Sequence, residues 1–248
     1  MNQESSQRHL VDGAKSQLIE ELRQRWRPRA TAVQRDVSPL PSLPFSIAIS
    51  REAGTQGTAV AREVGRVLGW PVYDHELLEH VAREMGLRKD LLESLDERRQ
   101  SWLLERVQGF LSAPSKSEWG FVSESAYVHH LIQTVIALGV YGECVLVGRG
   151  SAFILPIETT LRVRLVGPVK ERIVALSHML KISNAEAARR VRTIDRERND
   201  FVRDHFLKDA TDPRGFDLVL NALRLSSFQL AELIIEGLHR LQAEKPVV

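Results

Sequence analysis

One stretch limits what this chain can fold into more than any other: Phe45 to Gly69, reading FSIAISREAGTQGTAVAREVGRVLG. It runs from a short apolar strand, through a turn holding two glycines, into an amphipathic helix. A helix leaves its first N–H groups without internal partners and carries a positive dipole end, so a glycine-bearing turn ahead of it aims several N–H groups at one anion. Gly54 and Gly57 let the backbone approach a phosphate with no side chain between. The usual phosphate loop adds a lysine for the outer phosphates and a following Ser or Thr for magnesium. No lysine follows Gly57. The candidate donor-phosphate residues are therefore Arg51, Gly54, Thr55, Gln56, Gly57 and Thr58, with Thr58 the candidate metal ligand and Arg51 or Arg62 the candidate replacement charge. By itself the stretch equally suits a strand-to-helix turn whose glycines serve geometry alone.

Composition narrows the alternatives. A chain of 248 residues with 43% hydrophobic content buries one large α/β core, with residues 1–44 as an extension and 45–248 as the domain. A net charge of +2, with no basic stripe interleaved with aromatics, gives no argument for a nucleic-acid partner. Cys144 is the single cysteine, which excludes an internal disulfide and a cysteine metal cluster and suits a reducing cytoplasm. No secretion signal or membrane-length apolar run is present, so a soluble cytoplasmic protein is expected. Within the extension, Leu18, Ile19, Leu22 and Trp26 recur at helical spacing and Pro28 ends the pattern. This stripe packs on its own domain or on another subunit, as a homodimer or partner contact. Prolines 39, 41 and 44 form a stiff connection to the first strand.

Along the domain, Trp70 to Tyr73 reads as a second strand ending at Asp74. Asp74 has two readings, an N-cap for the helix Glu76 to Met85 and a carboxylate at the ligand-binding edge of an open sheet. A charged helical region, Leu87 to Phe110, and a loop, Ser112 to Gly120, precede the helix Ser123 to Tyr141. The adjacent His129 and His130 diverge by about 100° on a helix and do not form a metal pair. Glu143 to Gly148 is a strand buried on both faces, ending in Gly148-Arg149-Gly150. An arginine fork between glycines at that edge grips a phosphate with two hydrogen bonds, or forms an ion pair at the rim. A strand at Leu161 to Val166 and a helix at Lys170 to Leu180 follow.

A second long helix starts at Ser183, with Glu186 at capping-box spacing, and reaches about Phe206. Its Arg189, Arg192, Arg196 and Arg203 share one side, opposite Ala187, Val191, Ile194, Phe201 and Val202. That face is a phosphate clamp or a solvated surface neutralised by Asp195, Glu197, Asp200 and Asp204. A strand at Phe216 to Asn221 and a helix at Ser226 to Leu241 close the chain. Five short apolar strands, each followed by a helix, predict an α/β fold with a parallel sheet covered on both faces.

The same residues resemble the cytidylate kinase-like proteins, within the P-loop nucleoside monophosphate kinases. The likeness spans about Phe45 to Leu238 and rests on IAISREAGTQG, WPVYDHELLEHVA, VLVGRG followed by LPIETTLRVRLVGPVKERI, TIDRERNDF and DPRGFDLVLNALRL. It implies a three-layer nucleotide-kinase fold of strand order 2-3-1-4-5, an acceptor-binding insert at about 75–141 and a lid at about 183–215. It implies ATP with Mg2+ at the loop Gly54 to Gly57, an acceptor monophosphate near Asp74 and Arg149, and lid arginines Arg192, Arg196 and Arg198, with Arg203 beside them. Arg198 falls on the apolar side of its helix, which puts Arg192 and Arg196 ahead of it as partners of Arg149 in catalysis.

Two positions depart from cytidylate kinases: the loop lysine is absent, and Gly150 stands where those enzymes carry an acidic residue. Losing one preorganised charge-stabilising donor costs roughly 3 kcal/mol, about 100-fold in rate. The expected activity is magnesium-dependent transfer from ATP to a nucleoside monophosphate, CMP or dCMP by resemblance. The alternatives are a nucleotide-binding module without turnover and a kinase for another small molecule, the latter suiting the unusual stretch Leu87 to Gly120.

Overall fold

The computed structural model describes residues 44–84 and 122–243, together with 19–22, 24, 26, 90–93, 95, 99–101, 103, 105, 107 and 108. The expectations for Leu18, Pro28, prolines 39 and 41, and the loop Ser112 to Gly120 lie outside the described residues, as does much of Leu87 to Phe110.

Five parallel strands form one sheet: β1 Ser46–Arg51, β2 Val72–Tyr73, β3 Val145–Val147, β4 Thr160–Val166 and β5 Leu218–Asn221. Their spatial order is β2-β3-β1-β4-β5, the order the resemblance implied. The central β1 pairs along its length with β4, Ile47 opposite Leu161 and Ile49 opposite Val163. The helices are α1 Gly57–Leu68, α2 His75–Arg83, α3 Val122–Tyr141, α4 Ser151–Ile154, α5 Val169–Leu180, α6 Asn184–Phe206 and α7 Ser227–Ala243.

Alternation along the strands divides the core into two layers. Ile47, Ile49, Val145, Val147, Leu161, Val163 and Leu165 pack with Val60 and Val64 of α1 and Leu230 and Ile234 of α7. Ala48, Tyr73 and Leu146 pack on the other face with Leu78, Leu131, Val135 and Ile154. Each fully buried aliphatic side chain contributes roughly 1.5–3 kcal/mol. Leu22 and Trp26 are buried in this second layer with Leu91, Leu103 and Val107, and Ile19 packs against it, so these three residues of the N-terminal stripe pack on their own chain. A third, small cluster of Ala53, Leu176, Ala187 and Val191 fastens the turn after β1 to α5 and α6.

The caps follow the sequence signals. Ser183 Oγ accepts the Glu186 N–H at 3.2 Å. Ser226 and Gln229 form a reciprocal box, with Gln229 Oε1 accepting the Ser226 N–H at 3.0 Å and Ser226 Oγ accepting the Gln229 N–H at 3.2 Å. Asp74 Oδ1 accepts the Leu77 N–H at 3.1 Å and caps α2. Replacing Asp74 with Ala is expected to lower unfolding free energy by about 1 kcal/mol, read from urea denaturation. Among the described residues no helix is long and apolar enough to cross a membrane.

Candidate active site

The turn after β1 ends in Gln56, whose φ of 51° is left-handed and which makes no side-chain cap to α1. The Ala59 and Val60 N–H groups return to the Gln56 carbonyl at 2.9 and 3.2 Å. Among the described residues no hydrogen bond engages the N–H groups of Gly54, Gln56, Gly57 or Thr58. Four donors at the start of a twelve-residue helix are thus open to an anion. Thr55 is not one of the free hydroxyls, since its buried Oγ1 donates to the Glu52 carbonyl at 2.8 Å.

Carboxylates and arginines hold this turn from behind. Glu52 accepts the Gly167 N–H at 3.0 Å and lies 3.3 Å from Arg172 Nε and 3.6 Å from Arg164 Nη2. Arg172, almost wholly buried, donates to the carbonyls of Gly167 and Ala53 at 2.9 and 3.0 Å and to Asp195 at 2.6 Å. Asp195 in turn accepts the Ala53 N–H at 2.7 Å. One carboxylate of α6 therefore ties that helix to the loop.

Beside the loop, at the carboxyl ends of β1 and β3, lies a cavity of about 390 Å³. Its polar lining includes Arg51, His75, Arg149, Arg164, Arg198 and Asn199. Gly148, Arg149 and Gly150 all have positive φ, at 80°, 51° and 71°, a turn that delivers Arg149 to the cavity just ahead of α4. The Arg149 guanidinium pairs with Glu79 and lies over the Phe201 ring, 5.5 Å from its centroid, while its Nε is buried without a partner. Arg198 Nη1 donates to the Arg51 carbonyl at 3.1 Å.

Four arginines and one carboxylate, Glu197, line the cavity. Burial first, then Arg198 and Arg149, pushes the Arg51 guanidinium down to about 9, still a cation at neutral pH. Burial also lowers Arg198, against the pull of Asp195 and with the push of Arg149. Burial and the charges of Arg51 and Arg149 hold the His75 imidazole below its usual range. Three guanidinium groups that raise one another's energy around a cavity are an arrangement that an anion relieves.

The structure thus brings together Arg51, Arg149 and Arg198 at the cavity, and the Arg51 stem, packed against Gly57, links them to the loop. Asp74 sits at the edge, its charge felt by Arg51 and His75, with Arg62 3.9 Å away. Arg192, Arg196 and Arg203 are exposed and line a different, shallower groove between α5 and α6 with Val169 and Ile173. Within it Arg203 pairs with Asp200 and Asp204 at 2.7 and 3.0 Å, as a solvated face predicts. Sequence reasoning passed over His75, Glu79 and Asn199, none of which stands in a pattern that marks it. Gly150 has its own physical account: a Cβ there would overlap the Phe206 ring, and its left-handed backbone favours glycine.

Among the described residues no group of acidic, histidine or cysteine side chains is arranged to hold a metal ion.

Residues 46–223 match the cytidylate kinase-like family, well over half of the chain. Among solved structures, an uncharacterized protein from Eubacterium ventriosum superimposes with a TM-score of 0.61 at 18% identity, covering 79% of this chain and 98% of its own. A shikimate kinase from Bacteroides thetaiotaomicron gives 0.43 at 13% identity, over 80% and 98% of the two chains. A gluconokinase from Sinorhizobium meliloti gives 0.38 at 14%, over 80% and 94%. The first establishes a shared fold, and the other two are too distant to carry an argument. A search of curated proteins gave no match.

Proposed function

The chain belongs to the cytidylate kinase-like family, and from that membership we propose that it transfers the terminal phosphoryl group of ATP to a nucleoside monophosphate, CMP or dCMP by family likeness. Two features support this reading: loop N–H groups at Gly54, Gln56, Gly57 and Thr58 without internal partners, and the Arg51–Arg149–Arg198 cluster, joined to the loop by the Arg51 stem against Gly57. Phosphoryl transfer asks the protein mainly for positioning and charge neutralisation, and this site offers both.

The loop N–H groups hold the donor polyphosphate, while Arg149 and Arg198 hold the acceptor phosphate. An acceptor oxygen forms a bond to the γ-phosphorus as the bond from that phosphorus to the β,γ-bridging oxygen breaks. The products are two nucleoside diphosphates. No general base is needed, because a phosphomonoester with a second pKa of about 6 is already an oxyanion at neutral pH. Thr58 is the loop hydroxyl that would meet magnesium brought in with ATP, which would supply charge neutralisation on the polyphosphate. His75, neutral and wedged beside two arginines, donates or accepts one hydrogen bond at the cavity wall.

A second reading, nucleotide binding without turnover, is favoured by two observations: no lysine follows Gly57, and Asp195 already occupies the Ala53 N–H. Incubation with ATP, magnesium and each nucleoside monophosphate in turn, followed as ADP formation beside calorimetric binding, separates them. Turnover that depends on a pyrimidine monophosphate supports transfer. Binding of ATP with no ADP formed from any acceptor supports the second reading.

A further inference from the structure

We propose that Arg51 supplies, from the end of β1, the cation that a phosphate loop ordinarily draws from a lysine at the start of the following helix. This rests on the reading of the loop as a donor-phosphate site and extends it by giving the missing charge a source.

The first observation is steric. At Gly57, the first residue of α1, an added Cβ would stand 2.8 Å from Arg51 Cγ and 2.9 Å from Arg51 Cβ. The stem of Arg51 thus packs against Gly57, the glycine after which the usual pattern carries its lysine and this chain carries Thr58. The second is where the stem leads. The guanidinium comes out against Gly148, so close that a Cβ on that residue would overlap Nη1, and it lines the cavity with Arg149 and Arg198. This is the seam between the open loop N–H groups and the acceptor turn, where charge shifts during transfer.

The third observation is what the guanidinium lacks. Arg164 and Arg172, the buried arginines among the described residues, are matched by Glu52 and Asp195. Arg149 has Glu79. Among the described residues no ion pair or hydrogen bond holds the Arg51 side chain, and burial beside Arg198 and Arg149 lowers its proton affinity against the weaker pull of Asp74. A half-buried cation whose arginine neighbours outweigh its carboxylate is costly, and a bound polyphosphate removes that cost. Arg62, the other cation considered, is largely exposed and lies near Asp74, away from the cavity.

The test uses the full chain with Mg–ATP as probe, in Arg51→Met, Arg51→Lys and the exchange variant Arg51→Gln with Thr58→Lys. Arg51→Met is expected to melt at or above the wild-type temperature without ligand, because it removes a charge that Arg198 and Arg149 oppose. It is also expected to lose the ATP-induced rise in Tm and to bind ATP at least about tenfold more weakly. Arg51→Lys should keep most of the affinity. The exchange variant should regain affinity lost in Arg51→Met, and it keeps the question answerable if the methionine variant does not fold. Should Arg51→Met bind ATP like a wild type that does bind it, the inference fails and the donor-site reading stands. Should the wild type bind no triphosphate, the reading fails and takes the inference with it.

Discussion

Arg149→Ala is expected to lower kcat/KM for phosphoryl transfer by at least about 100-fold while changing the melting temperature by no more than a few degrees. The expectation follows from how the side chain is held. The Gly148-Arg149-Gly150 turn places it in the left-handed region, Glu79 and the Phe201 ring fix its guanidinium, and the cavity lies in front of it. A preorganised fork of this kind stabilises charge without reorganising when the reaction occurs. Its pair with Glu79 is partly open to water, so breaking it costs little stability. Glu79→Gln serves as the control: it frees the arginine without removing it, and most of the activity should remain. Steady-state kinetics in the acceptor, with Tm measured in parallel, decide the matter. A variant with wild-type kcat/KM removes Arg149 from the site.

The second large effect is expected at Arg172. Replacing it with Ala leaves Glu52 and Asp195 without their shared cation and frees the carbonyls of Ala53 and Gly167. Breaking a buried charge network by removing one member costs about 3–5 kcal/mol, which for a domain of this size lowers Tm on the order of 10 °C. The loss should reach the phosphate loop as well, because Gly54 packs directly against the Arg172 backbone and Ala53 is held at both its N–H and its carbonyl by this network. Urea denaturation reads the first effect and calorimetric ATP binding the second. A loss below about 1 kcal/mol would show that Glu52 and Asp195 find water or other partners at no cost.

Much of this was legible in the chain itself. The strands declared themselves because a parallel sheet covered on both faces requires near-continuous apolar runs, and the glycine turn after β1 required a helix to follow. Strand lengths were less legible: Trp70 and Pro71 read as strand, yet β2 is only Val72–Tyr73, since proline donates nothing to a ladder. The helix α4 was hidden behind the Gly-Arg-Gly turn, whose left-handed run no periodicity signals.

The arginines of α6 are the instructive case. Helical periodicity sorts side chains into an apolar and a polar side, and Arg198 lies on the apolar one. That side of α6 borders the cavity as well as the core, lining it with Ile194, Phe201 and Val202, so Arg198 reaches the site while the more exposed Arg192 and Arg196 lie in the neighbouring groove. Asp195 was read as a neutraliser of the solvated face, whereas it is turned inward onto Ala53 and Arg172. Pairings between residues 142 positions apart in sequence carry no local signal.

The most direct measurement is a crystal structure with a bisubstrate analogue, two nucleosides joined through a pentaphosphate. The account predicts one continuous polyphosphate running from the N–H groups of Gly54, Gln56, Gly57 and Thr58, past the Arg51 guanidinium, to Arg149 and Arg198. Density for the phosphates in the groove between α5 and α6, with the Arg51–Arg149–Arg198 cavity filled only by water, would contradict it.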